Sequence, residues 1–202
     1  MGARGLAGFL IALCPGFAAH AQTPPVAVVA VVAASPAPVA PTDNAAALQA
    51  LHTRLEGVYR EAPGATNAAN RDEGVQHAVD ELFFAVRPIA FSRIVDGNPV
   101  FPMVRIAFHD GQISVQTPPV AATSPEDGTE ARMTGLDHET NHVVQRLTTN
   151  SLIQRSWTEE GSRTTRFAVS PDGQTLTLHI QIRSPRLPVS VRYTMSYVRV
   201  AN

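Results

Sequence analysis

The sequence predicts an α+β fold: mainly an antiparallel β meander of seven or eight strands, closed as a barrel or half-barrel and preceded by two N-terminal helices. Three observations carry this expectation. Apolar residues recur at helical spacing in two stretches between residues 43 and 87. Beyond residue 99 the apolar period falls to two, and turn pairs such as Asp110-Gly111 and Asp172-Gly173 punctuate the remaining chain. No later helical stretch interrupts the strands, so consecutive strands are expected to pair antiparallel.

The chain opens MGARGLAGFLIALCPGFAAHAQ, with a positive charge at Arg4, an apolar run from Leu6 to Leu13 and a small-residue site at Ala19-His20-Ala21. That is the plan of a secretory signal peptide over residues 1–21, too short in its apolar part to span a bilayer. A periplasmic or secreted protein is expected, with no transmembrane segment once the leader is removed. The only cysteine, Cys14, lies in this leader, so cleavage after Ala21 leaves no thiol for disulfides or cysteine chemistry. Residues 22–42 are rich in proline, alanine and valine and carry no charge, and read as a semi-rigid linker. A single domain is expected over 43–202.

The full chain carries a net charge of −1, and losing Arg4 with the leader makes it −2. No net field steers nucleic acid or an anionic membrane toward such a chain. Every basic residue is arginine, which removes lysine-based Schiff-base chemistry.

The first helix is expected near 43–58, with Asp43-Asn44 as N-cap and Leu48, Leu51, Leu55, Val58 and Tyr59 on its apolar face. The second is expected near 71–87, with Val75, Ala78, Val79, Leu82, Phe83 and Val86 as its stripe, Asn70 as cap and Pro88 as stop. Val104, Ile106 and Phe108 then alternate with Arg105 and Ala107, and Asp110-Gly111 turns the chain toward Ile113 and Val115. EARMTG, NHVVQRLT and SLIQRSWTEE read as less cleanly patterned strands, and RTTRFAVS as a clearer one. In QTLTLHIQI, Leu176, Leu178, Ile180 and Ile182 share a face. The last segment puts Val189, Val191, Tyr193, Met195 and Tyr197 on one face, with Arg199 on that face too unless a bulge shifts the register.

Residues 138–142 spell HETNH, the letters of the zinc-protease signature H-E-x-x-H. In those enzymes a helix aims both imidazoles at one metal. Here Gly135 precedes the motif, Val143-Val144 follow it, and no third ligand is recognisable. In a strand the two histidines stand about 13 Å apart. The stretch is therefore read as a polar turn leading into a strand, with no metal, cofactor or catalytic residue assigned. His109-Asp110 reads as a solvated hairpin tip and Glu159-Glu160 as a charged edge. Arg192 and Arg199 are open to two readings, partners of an anionic ligand inside a barrel or arginines packed over an aromatic ring or exposed.

A strand meander after an N-terminal helix resembles lipocalin-like (calycin-type) β-barrel proteins. Gly57-Val58-Tyr59 is similar to the Gly-x-Trp element of their first strand, with tyrosine in place of tryptophan. Arg199 is placed like the arginine that packs across that tryptophan. The resemblance implies that the first helix ends near Leu55 and that the chain forms a calycin-type barrel, the competitor being an open antiparallel sheet covered by the two helices.

Together these readings point to an exported, non-enzymatic protein that binds a small apolar or amphipathic ligand in the cell envelope, without nucleic acid as a partner. The apolar strand face offers Phe108, Tyr193, Met195, Tyr197 and Arg199 as ligand-binding residues. An envelope protein-interaction module is the alternative, and a zinc hydrolase through HETNH the second.

Overall fold

A computed structural model describes residues 41–135 and 138–200. The expected leader and linker lie outside the described residues, apart from the start of the first helix.

That helix, α1 (Pro41–Leu55), ends where the resemblance required. A 15-residue helix is marginal alone, and α1 is held by burying Leu51 and Leu55 completely in the main core. Strand β1 (Gly57–Glu61) follows. The predicted helix over 71–87 is α2 (Asn67–Val79) followed by a bend and a short 3-10 turn at Phe84–Val86, and a third helix that was not expected, α3 (Arg87–Gly97), comes after it. Pro88 has no N–H to give the Phe84 carbonyl, so one helix cannot run through it. Instead of stopping a helix, Pro88 sits in the first turn of α3, where a missing donor costs nothing.

Nine further strands follow among the described residues: β2 (Met103–His109), β3 (Gln112–Thr117), β4 (Val120–Pro125), β5 (Ala131–Thr134), β6 (Thr140–Leu147), β7 (Leu152–Thr158), β8 (Gly161–Val169), β9 (Thr175–Arg183) and β10 (Val191–Arg199). The sequence reading of seven or eight strands missed β1 and β4. In β4, alanines and prolines replace the β-branched alternation that marks its neighbours.

The sheet order is β4-β3-β2-β1-β10-β9-β8-β7-β6-β5, with every pairing antiparallel and each neighbour consecutive in sequence except β1 with β10. The meander therefore curls until its last strand meets its first. Its two edges, β4 and β5-β6, are brought together by side chains. The Gln145 Nε2 amide donates to the Ala122 carbonyl at 3.5 Å, and the Gln145 backbone N–H donates to Ser124 Oγ at 3.1 Å. The result is a nearly closed ten-stranded barrel, not an open sheet.

Register settles which residues face inward. Tyr59 lies opposite both Val104 and Arg199, and Tyr193, Met195 and Tyr197 lie opposite Ile180, Leu178 and Leu176. This row continues through Phe167 and Leu152 and is the core. Arg199 stays on the inward face without a bulge, whereas Val189 falls before β10 and is exposed.

Because β1 is short, most of β10 has no strand on one side. Helix α2 takes that place. The Ser196 N–H donates to Asn67 Oδ1 at 2.7 Å, Asn67 Nδ2 donates to the Ser196 carbonyl at 3.1 Å, and Asn70 Nδ2 donates to the Thr194 carbonyl at 3.3 Å. Two asparagines thus satisfy backbone groups that an edge strand would leave bare. Asn70 was expected to cap α2, but the helix begins a turn earlier, after Thr66, and spends this amide on the sheet. The approach depends on Gly74, where a Cβ would collide with the Arg192 carbonyl oxygen.

Gly74→Ala should accordingly cost about 1–3 kcal/mol, the range for overpacking a filled contact. Gly97→Ala, in α3 with open space around it, should be neutral or stabilising by about 0.5–1 kcal/mol. Urea unfolding of the two variants checks the pair, and equal effects would contradict the α2 contact.

Candidate functional site

The barrel interior is graded from apolar to polar. Toward the end where α1 sits, the inward positions are Ile106, Ile113, Leu152, Leu176 and Met195, all nearly or fully buried. Toward the α2–α3 end the inward rows of β7 and β8 turn polar, with Gln154, Ser156, Arg163 and Thr165. Gln154, Ser156 and Arg163 are only half-buried although they point into the barrel. Solvent reaches this mouth.

Arg163 is the cation of the mouth. Its Nη1 donates to Asn98 Oδ1 at 3.3 Å and its Nε to Thr165 Oγ1 at 3.3 Å. Asn98, just past α3, also accepts on its carbonyl from Arg71 Nη1 of α2 at 3.5 Å and donates from Nδ2 to the Ile94 carbonyl at 2.9 Å. One asparagine therefore ties both helices to the inner wall of β8. Arg71 is neutralised by Asp72 at 2.8 Å, whereas Arg163 has no carboxylate partner among the described residues.

Beside this cluster stands Tyr193, 6% exposed, whose hydroxyl has no hydrogen-bond partner among the described residues. Burial raises its pKa, and Arg163 and Arg71 pull it the other way. Deeper in, the Tyr197 hydroxyl donates to the Phe101 carbonyl at 3.0 Å. Its pKa is raised to about 12 by burial, with Glu61 adding to the rise, Arg163 opposing it and Tyr193 adding to it.

Tyr193, Met195 and Tyr197, expected on the ligand-facing row, do line the interior. Phe108 also faces inward but stacks on His52 of α1, ring centroids 4.2 Å apart. Arg199 is engaged elsewhere. Its guanidinium lies 4.8 Å over the Tyr59 ring and donates to the Arg54, Glu56 and Gly173 carbonyls and to the Tyr59 hydroxyl. Of the two readings for this arginine, the structure realises packing over an aromatic ring. Arg192 points outward and is exposed.

Sequence reasoning missed Arg163, Gln145, Gln154, Asn98 and Arg71. Counting back by twos from Phe167 puts Thr165 and Arg163 on the inward face, so for Arg163 the signal was present. Asn98 and Arg71 depend on how α2 and α3 cross the mouth, which periodicity does not encode.

HETNH does not form a helix. His138 has a left-handed backbone (φ 67°) before β6, which starts at Thr140. His142 instead meets Glu130 through Nδ1 at 2.6 Å and stacks on Trp157. Among the described residues no group of three or more His, Cys, Asp or Glu gathers to hold a metal.

No protein-family model matches the chain, and no curated protein matches it in sequence. Among solved structures, a Schistosoma mansoni fatty acid binding protein in complex with arachidonic acid aligns with a TM-score of 0.47 at 15% identity, covering 75% of this chain and 99% of that one. Echinococcus granulosus fatty-acid-binding protein 1 aligns at 0.46 with 11% identity, covering 74% and 99%. Caenorhabditis elegans lipid binding protein 8 aligns at 0.47 with 10% identity, covering 73% and 96%. Likeness this distant says nothing of what the present chain binds. The architecture is decided by the chain's own pairing, a next-neighbour meander with α1 at one end and Arg199 stacked on the aromatic of β1. The barrel is calycin-like. In this calycin-like barrel the inward face is the candidate site, and Arg163 with Tyr193 is its polar end.

The tyrosines give a direct check. A phenol whose folded pKa lies above its unfolded value adds stability that is complete below the unfolded value and is lost as pH rises through the folded one. With Tyr197 at about 12 and Tyr59 and Tyr193 also raised, stability should hold up to about pH 10 and fall between about pH 10 and 12. Phenolate absorbance at 295 nm should rise with unfolding, and ionisation near pH 10 in the folded protein would contradict these environments.

Proposed function

We propose that this protein binds a small amphipathic molecule inside the barrel, its apolar part along β8–β10 and an anionic head at Arg163 and Tyr193. The carrying observation is the Tyr193 hydroxyl, buried and without a hydrogen-bond partner among the described residues. A buried hydroxyl left unpaired costs about 1–3 kcal/mol. A ligand acceptor removes that cost, and Arg163 beside it favours an acceptor that is negatively charged. The apolar surface for the rest of the molecule comes from Phe167, Leu178, Ile180 and Met195. The reading includes the exported location expected from residues 1–21 and a binding role without catalysis, since the residues at the mouth form an anchoring set and not an acid–base or nucleophile pair.

A second reading, a protein-interaction module, has its own observation. Phe83 and Phe84 in the α2–α3 bend are 68% and 70% exposed, with Val86 and Ile89 beside them. Exposed aromatics clustered this closely mark contact surfaces in folded proteins.

Calorimetric titration with dodecanoate, dodecanol and dodecyltrimethylammonium tests the first reading. The carboxylate should bind most tightly, Arg163→Gln should weaken it about 10-fold to 100-fold, and Tyr193→Phe should weaken it less. Equal affinity for all three heads would overturn the anionic site. Absence of binding, together with a partner captured only when Phe83 and Phe84 are intact, would move the function to the α2–α3 surface.

A further inference from the structure

The overall charge of −1 conceals a strong segregation. Strands β5–β10 hold eight of the 16 arginines and none of the 17 acidic residues. Arg163 and Arg199 point inward. The other six, Arg132, Arg146, Arg155, Arg166, Arg183 and Arg192, project from the outer face, and all six are exposed. None makes an ion pair among the described residues. Among the described residues, carboxylates approach at the margins, where Glu130 meets His142 and Glu160 meets Arg186, and beside α2, where Glu73 lines a groove with Arg166 and Arg192.

Register lays these arginines out as a grid. Across the strands, Arg155 on β7, Thr164 on β8, Gln181 on β9 and Arg192 on β10 form one row. Arg146, Ile153, Arg166 and His179 form the next. Neighbouring rows are about 6.6 Å apart and neighbouring strands about 4.8 Å. In the first row a hydroxyl and an amide separate the cations, and in the second Ile153 lies between Arg146 and Arg166. At one side of the grid, α2 and the outer face of β8–β10 enclose a groove of about 730 Å³, with Asn70, Glu73 and His77 on the helix wall and Arg166, His179 and Arg192 on the sheet wall.

We infer that this outer face binds a flexible acidic polysaccharide, with sulfate, phosphate or carboxylate groups paired to the arginines and a sugar unit seated in the α2 groove. Charge complementarity calls for a polyanion, because guanidinium groups bind such oxyanions bidentately. Curvature selects among polyanions. Ten strands about 4.8 Å apart and tilted by about 40° make a barrel about 20 Å across, and β5 and β10 lie half a turn apart. A planar bilayer touches only a few strands of such a surface, and a nucleic-acid duplex, stiff over about 150 base pairs, cannot bend around it. A flexible chain can follow it. Single-stranded nucleic acid draws on open aromatic platforms as well as on charge. The one Phe, Tyr or Trp ring on the outer face of β5–β10, Trp157, has the His142 ring stacked at 5.3 Å and the Arg155 guanidinium at 5.3 Å. Its π surface is in use.

The test is binding of fluorescein-labelled heparin octasaccharide, followed by anisotropy over a salt series, with labelled oligo-dT and phosphatidylglycerol vesicles as competing arms. Binding is expected despite the net negative charge, with log K falling linearly against log salt as counterions are released. Replacing Arg155, Arg166 and Arg192 together by glutamine should weaken binding at least 10-fold and flatten that slope by about two. The matching triple lysine variant should retain most of the slope, separating charge from any folding defect. Arg105→Gln, on the outer face of β2, should change nothing. The proposal fails if the oligosaccharide does not bind at 0.15 M salt, if Arg105→Gln matches the triple variant, or if oligo-dT or vesicles bind more tightly. Dodecanoate binding by the triple glutamine variant should be unchanged, so the two sites are judged separately.

Discussion

The barrel depends on one side chain at its seam. Arg199, near the end of the last strand, stacks on Tyr59 of the first and donates to the Arg54 and Glu56 carbonyls around the C-terminus of α1. A helix C-terminus leaves carbonyls unpaired and carries partial negative charge, so a guanidinium there is doubly favourable. The Tyr59 hydroxyl joins in, donating to the Arg54 and Leu55 carbonyls at 3.0 Å. Gly57, with a left-handed φ of 148°, leaves room because a Cβ there would overlap the guanidinium. The turn at Asp172-Gly173 presents the Gly173 carbonyl to Arg199 Nε at 2.7 Å, and hydrogen bonds from Ser170 and Gln174 hold the Asp172 carboxyl below the usual range. One cation thus joins α1, β1, the β8–β9 turn and β10.

The rest of the architecture follows from where strands end. Because β1 stops at Glu61, β10 needs another partner, and α2 supplies it through Asn67 and Asn70. Once α2 lies there, the following bend and α3 cross the mouth and bring Asn98 to Arg163. The tie between Asn98 and Arg163 is therefore reached by way of a short first strand. At the opposite seam β4 and β6 lack a backbone ladder, and Gln145 bridges the gap while also donating to Gln154 at 2.7 Å. Buried amides of this kind are stable only when fully paired, and this one is.

Legibility in the sequence tracked the physical origin of each feature. Strands with strong alternation, such as Thr175–Arg183, were readable because burial on one face imposes a period of two. The end of α1 and the role of Arg199 were readable through Gly57-Val58-Tyr59, since the stacked pair constrains local sequence. The break between α2 and α3 was not read, because the stripe through Leu82, Phe83 and Val86 imitates a continuing helix. The structure leaves Phe83 and Val86 exposed there. β4 escaped because an edge strand held by one ladder needs little alternation. Arg163 and the outward arginines lie at positions that register predicts, but their significance appears only when strands distant in sequence are laid side by side. A net charge close to zero hid that arrangement.

The seam is tested most directly by amide hydrogen exchange on the wild type and on Arg199→Met. If Arg199 ties α1, β1 and β10 together, protection should fall jointly over 48–61 and at the β10 end of the seam, while β6–β8 keep theirs. Loss confined to α1, with Val58 and Tyr59 as protected as in the wild type, would show that β1 and β10 close the barrel without the arginine and would contradict this account.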